Sequence, residues 1–183
     1  MGDNNNMKIG IVGPSLPKWK SKEQIDKAKR EIERILVEYN RNREDAILVS
    51  GHCPKGGVDT WAEIVADSLG VTKEIYPAEV NKWEDKVVFL NPSGFQTIKE
   101  KRKGYKSRNI QIAEACDVLY CIVPHTAPPK GFDITNTDSF TMKDARSFHC
   151  IHCKKLGHPT NGGCWTMNYA KKLGKETYLI VIE

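Results

Sequence analysis

Residues 46–70 read AILVSGHCPKGGVDTWAEIVADSLG. AILVS, Ala46 to Ser50, is a continuous apolar run of strand length. GHCPKGGVD is a turn rich in glycine, and TWAEIVADSLG has helical composition closed by Gly70. A strand that is apolar throughout is buried on both faces, which points to a parallel sheet covered by helices.

The flanking sequence repeats this unit. KIGIVG, Lys8 to Gly13, reads as a first buried strand. From Ser21 the residues Ile25, Ala28, Ile32, Ile35, Leu36 and Tyr39 form one apolar helical stripe. Ser21 as N-cap with Gln24 three residues on makes a capping box. KEIYP (73–77) is a third strand, and residues 78–103 are less regular, with the turn NPSG at 91–94. A helix over about Ser107–Ala115 leads into DVLYCIV (117–123), and one over about Cys164–Leu173 precedes TYLIVIE (177–183). Alternating strands and helices predict a three-layer, Rossmann-like, doubly wound α/β fold. Its mainly parallel sheet has about five strands in the order 3-2-1-4-5. The whole chain, 1–183, reads as one domain with an insertion over about 124–162. That insertion shows no periodic element, and it contains Pro124, Pro128, Pro129 and the polar run TNTDS (135–139). A loop of such length needs something to tie it down.

Of the 183 residues, 39% are hydrophobic and 28% charged, which excludes a disordered or fibrous chain. No apolar run is long enough for a membrane span, and MGDNNNMKIG does not resemble a secretory signal, so a cytoplasmic protein is expected. The net charge of +5 suits an anionic ligand but falls short of a nucleic-acid binder. Its densest cluster is Lys99, Lys101, Arg102, Lys103, Lys106 and Arg108.

In a doubly wound sheet, ligands bind at the carboxyl ends of the strands where the order reverses. Three glycine turns fall on that edge: Gly13-Pro14-Ser15, the stretch from Ser50 and Gly51 to Gly56, Gly57 and Asp59, and Asn161-Gly162-Gly163. Such turns let backbone amides approach a phosphate at a helix N-terminus, although they also serve as plain tight turns. Neither G-x-G-x-x-G nor G-x-x-x-x-G-K-[ST] is present, which argues against a dehydrogenase and a P-loop NTPase.

The stretch SGHCPKGGVDTWAEIVADSLG resembles the SGGARGVDTWAEE-A-ELG signature of the SLOG superfamily. GYKSRNIQIAEACDVLYCIV is similar to its G-x-x-RN-x-x-A-x-x-x-D-x-x-I/V-A-F block, and NGGCWTMNYAKKLGKETYLIVI to GGTGTM-x-x-A-x-x-x-GKPV. The likeness is nearest the YspA/YpsA-related branch and more distant from the DprA and lysine-decarboxylase-like (LOG) branches. It implies a Rossmann-like fold holding a nucleotide or nucleotide-derived ligand. Its phosphate would then rest on the turns at Gly51 to Gly57, with Gly51, Gly56 and Gly57, and at Gly162-Gly163, while Gly13, Ser15, Ser50 and Thr166 would also bind the ligand. Arg108 and Asn109 match the family's RN pair, where the arginine faces the ligand. Asp59 either contacts a ribose hydroxyl or caps its helix. LOG enzymes carry P-G-G-x-G-T-x-x-E, but Tyr169 stands where the catalytic glutamate would be. A tyrosine of ordinary pKa does not replace a carboxylate base near neutrality.

FHCIHCKKLGHPTNGGC places Cys150 and Cys153 two residues apart, His158 after four more and Cys164 after five. A C-x2-C turn with two later ligands is the pattern of a tetrahedral zinc knuckle. His149 and His152 are alternative ligands. A Cys3His set fills all four positions, so the zinc is expected to be structural and to hold the insertion. Three functions follow as expectations. The first is a binding or sensing module for a nucleotide-derived small molecule, with homodimerisation open. The second is a nucleotide N-glycosidase or phosphoribohydrolase using Asp59, Arg108 or Glu114. The third is a single-stranded nucleic-acid accessory acting through the knuckle.

Overall fold

The structure, a computed structural model, describes residues 6–42, 46–79, 96–99, 102–132 and 142–183. The NPSG turn, Lys101 and the TNTDS run lie outside the described residues.

Six parallel strands form the main sheet: β1 (Lys8–Val12), β2 (Ile47–Ser50), β3 (Thr72–Ile75), β5 (Gln96–Ile98), β7 (Val118–Pro124) and β8 (Glu176–Ile182). Their order is β5-β3-β2-β1-β7-β8. Register runs from Gly10 opposite Val49 on one side of β1 to Gly10 opposite Leu119 on the other. The expected order 3-2-1-4-5 is present, and β5 adds a sixth strand beside β3. A separate parallel pair, β4 (Ala78–Glu79) and β6 (Arg102–Lys103), holds the entry to the helix that follows.

Side chains alternating across the strands divide the core in two. On one face, Ile9, Ile11 and Leu48 pack against Ile32, Ile35 and Leu36 of α1 (Lys22–Asn42) and Ala62 and Ala66 of α2 (Val58–Leu69). On the other, Val12, Val49, Leu119 and Cys121 pack against Ile112 of α3 (Gly104–Ala115) and Met167 and Ala170 of α5 (Gly162–Lys172). Each such aliphatic side chain contributes about 1.5–3 kcal/mol of burial. The Ser21 hydroxyl accepts the Gln24 N–H at 3.1 Å, forming the predicted cap of α1. Gly70 closes α2 in the left-handed conformation at φ 68°. The insertion is not without regular structure: α4 (Met142–Phe148) lies within it and ends two residues before Cys150, the first knuckle cysteine. Among the described residues, no helix is long and apolar enough to cross a membrane.

Candidate anion cleft and metal centre

The chain leaves β1, runs outward through β2, β3 and β5, then returns to β7 on the opposite side of β1. A crevice opens beyond the carboxyl end of β1 at such a reversal. Here it is a cleft of about 300 Å³. Gly13, Ser15, Asp59, Arg108, Asn109, Gly162, Gly163 and Thr166, all expected at the ligand, line it together. Cys53, Lys55 and Asn161, within the glycine turns, also line it, together with Lys18 and Tyr105, which belong to no motif. Ser50, Gly51, Gly56 and Gly57 do not line it.

Those four residues build the cleft from behind. Gly57 has φ 111°, and a Cβ there would stand 2.6 Å from the Pro14 carbonyl, so the two glycine turns touch directly. Ser15 and Gly57 bridge in antiparallel fashion, and the Leu16 N–H donates to the Gly56 carbonyl at 3.2 Å. Any side chain on Gly51 would collide with the Arg108 guanidinium. Ser50 is buried, and its hydroxyl donates to Glu63 Oε1 at 2.5 Å. The same Glu63 lies 2.5 Å from His52 Nδ1. Burial disfavours charge on His52, yet the Glu63 hydrogen bond and charge raise its pKa.

Arg108, only 5% exposed, is the main cation of the cleft. Its Nη1 donates to the Gly51 carbonyl and stands 3.4 Å from Asp59 Oδ2. Its buried Nε has no hydrogen-bond partner. Asp59 is 6% exposed, and burial raises its carboxyl to about 6 although Arg108 opposes the rise. Burial and the Asp59 charge also raise Cys53, so this thiol is not an activated nucleophile. Opposite Arg108, Asn161 caps α5: its Oδ1 accepts the Cys164 N–H at 3.0 Å. Gly163 packs so closely that a Cβ would meet the Gly13 backbone at 2.8 Å.

The Asp59 titration predicts an unusual pH dependence. In the folded protein Asp59 keeps a proton that the unfolded chain releases near pH 4. Its contribution is full at low pH and lost as pH rises through about 6. A shift of about two pH units corresponds to about 3 kcal/mol. Denaturation midpoints of the parent and Asp59→Asn, compared from pH 4.5 to 7.5, should diverge as pH rises, with the parent losing more. Parallel curves would show an ordinary Asp59.

The metal-binding residues come together as expected. The ligand atoms of Cys150, Cys153, His158 and Cys164 lie within 4.8 Å of one another, close enough to hold a metal ion. Cys150, His158 and Cys164 are fully buried. The knuckle turn is closed by the Lys154 N–H on the Cys150 carbonyl at 2.9 Å and the Cys150 N–H on the Lys155 carbonyl at 3.0 Å. Lys154 takes a left-handed φ of 61° to make this turn. His158 Nδ1 lies 3.2 Å from the Pro159 carbonyl, which assigns it the proton and leaves Nε2 free, 3.1 Å from Cys153 Sγ. A hydrogen bond from Cys164, with help from backbone N–H groups, lowers the Cys150 thiol to about 4. His149 and His152 lie outside the cluster. His149 bridges to Leu156, and the His152 carbonyl accepts from Asn168.

The other candidates stand apart from the cleft. Tyr169 is stacked on Trp165 at 5.5 Å and is not among the cleft lining. Glu114 is exposed on α3 and likewise absent from that lining. Phe148 is buried against Phe132 at 5.0 Å, so it offers no free ring to a nucleic-acid base.

Sheet order and cleft position define a Rossmann-like α/β protein with a cleft at its topological switch point. Among solved structures, the chain is similar to DNA processing protein A (DprA) from Streptococcus pneumoniae, with 13% identity and a TM-score of 0.55. The match covers 96% of this chain and 50% of the DprA chain, so this chain spans about half the length of that relative. The Rossmann-like α/β fold expected from the sequence is therefore borne out. No family model and no curated protein matches the sequence.

Proposed function

We propose that the cleft binds a nucleotide or nucleotide-derived ligand through its phosphate. The protein acts as a binding or sensing module whose Cys3His cluster holds a structural zinc ion. On this reading residues 1–183 form one cytoplasmic domain. The carrying observation is Arg108: a buried guanidinium with an unpartnered Nε, facing the Gly162–Gly163 helix N-terminus across a cleft. Cation and helix end converge where an oxyanion would sit. Three thiolates and an imidazole are a soft, closed donor set suited to tetrahedral zinc. When bound, the ion would supply folding energy and no open coordination position.

Mononucleotides at about one hundred times their dissociation constant should stabilise the fold by about 2.7 kcal/mol. For a chain of this size that raises the melting temperature by roughly 5–11 °C. Arg108→Lys keeps the charge but loses the planar fork, so it should remove most of the rise. If no nucleotide shifts the transition, or Arg108→Lys responds like the parent, the cleft is not the site.

One observation favours turnover as a second reading. Asp59, with its carboxyl at about 6, lines the cleft and could hold or accept a proton near neutral pH. Incubation with mononucleotides decides it: released base or phosphate that disappears in Asp59→Asn makes the protein a hydrolase, and intact nucleotide leaves it a binder.

A further inference from the structure

We infer that the cleft continues past Lys18 into a second anion-binding groove, and that the ligand is a nucleotide carrying a chain of at least two phosphoryl groups. This rests on the cleft being the nucleotide site.

The cleft alone is small. At about 300 Å³ it stands at the lower limit of small-molecule pockets, which run from roughly 300 to 1,000 Å³. Beside it lies a groove of about 680 Å³, lined by Lys18, Lys20, Thr126, Arg146, Pro159 and Thr160 among others. Lys18 lines both spaces.

Three separate parts of the chain are tied together to make the groove. The short turn Leu16–Lys18 after β1 brings Lys18, and the last turn of α4 brings Arg146. The segment entering α5 brings Pro159 and Thr160. Lys18 Nζ donates to the Thr160 carbonyl at 2.5 Å, and the Thr160 N–H donates to the Arg146 carbonyl at 2.8 Å. Thr126 Oγ1 donates to the Ser147 carbonyl at 3.0 Å, fixing the far wall. The groove is thus framed by hydrogen-bonded backbone as well as by surface side chains.

Among the described residues its charge is of one sign: Lys18, Lys20 and Arg146 line it, and no carboxylate does. Among the described residues, none of these three cations is in an ion pair, while Lys8, Lys27, Arg34 and Lys73 all are. Like charges around one concavity repel each other and concentrate anions there. Residue 161 lines the cleft and residue 160 the groove, so a ligand leaving the first enters the second with Lys18 at the junction. A phosphoryl group on Arg108 with the next beyond Lys18 uses both.

Calorimetric titration of the full chain with the 5′-mono- and 5′-diphosphates of adenosine, guanosine, cytidine and uridine tests this, with inorganic pyrophosphate as the base-free arm. Lys20→Ala/Arg146→Ala is the variant, since both side chains are exposed and neither forms an ion pair among the described residues. In the parent, at least one diphosphate should bind about tenfold or more tightly than its monophosphate and more tightly than pyrophosphate. In the variant that advantage should fall below about twofold, with monophosphate affinity unchanged. Equal affinities in the parent, or an undiminished advantage in the variant, overturn the groove and leave the cleft reading intact. Pyrophosphate binding as tightly as the diphosphates overturns the nucleotide class. Absence of binding by every monophosphate and diphosphate overturns the cleft reading and this inference together.

Discussion

Removal of the metal by a strong chelator should lower the melting temperature by about 6–20 °C, and Cys150→Ser should do the same. Cys150 and Cys164 belong to the second core cluster, together with Val12, Leu119, Cys121 and Met167. Without an ion, two buried thiols, the half-buried Cys153 and a buried imidazole share one small volume, and their mutual hydrogen bonds and that of Asn168 to the His152 carbonyl hold the knuckle to α5. Zinc binding in small modules supplies roughly 10–16 kcal/mol. Here β-sheet packing survives its loss, so only about 3–5 kcal/mol is expected to disappear, at roughly 2–4 °C per kcal/mol. The parent should contain about one zinc per chain and the variant almost none. Cys53→Ser, outside the cluster, should keep both metal and stability. Ligand binding should weaken with the metal. Asn161 donates to Cys164 Sγ at 3.4 Å and to the Pro159 carbonyl at 2.9 Å, so one side chain links the metal ligand to the cleft wall. Metal-free protein of unchanged stability would remove zinc from the account.

The sequence was readable where local chemistry and tertiary environment agree. β1, β2 and β7 are continuous apolar runs because helices cover them, whereas β8 is as apolar but lies at the sheet edge with Tyr178 and Val181 exposed. β5 was missed for the opposite reason: Gln96 is half-buried and Thr97 and Ile98 are exposed, so this edge strand carries no apolar run. α4 escaped because seven residues between proline-rich and cysteine-rich stretches are too few to show a period. The metal ligands were legible because C-x2-C is itself a local geometry. The choice of His158 over His149 and His152 required the Pro159 carbonyl to orient the ring. In the cleft, glycines were visible as motifs but their two roles were not separable. Gly13, Gly162 and Gly163 line the cleft, Gly13 and Gly163 also in close backbone contact, whereas Gly51 and Gly57 do not line it and serve close packing against the guanidinium and backbone. Lys18 and Tyr105 carry no signal, since each is ordinary until the fold brings it to the switch point.

Arg108→Ala should cost stability as well as ligand. A side chain aimed wholly into the cleft could be truncated with little effect on the unliganded protein, but this guanidinium also donates to the buried Gly51 carbonyl and faces Asp59. Breaking a buried pair commonly costs about 3–5 kcal/mol. Here Asp59 limits the loss. Its carboxyl is already near 6 with the arginine beside it, so removing that charge raises it further and Asp59 takes up a proton at neutral pH instead of remaining an unpaired anion. The remaining cost is the orphaned carbonyl, the cavity and the protonation, together about 2–3 kcal/mol, or roughly 4–12 °C. Asp59→Asn on top of Arg108→Ala abolishes the protonation step, so the double variant should be no less stable than Arg108→Ala above pH 7. Coupling between the two positions should exceed about 1 kcal/mol and shrink below pH 5, where Asp59 is neutral in every variant that keeps it. Denaturant titration of the four proteins at pH 5 and pH 8 measures it. Additive losses at both pH values would mean that Arg108 and Asp59 do not form a pair, and that the cleft cation is held by Gly51 alone.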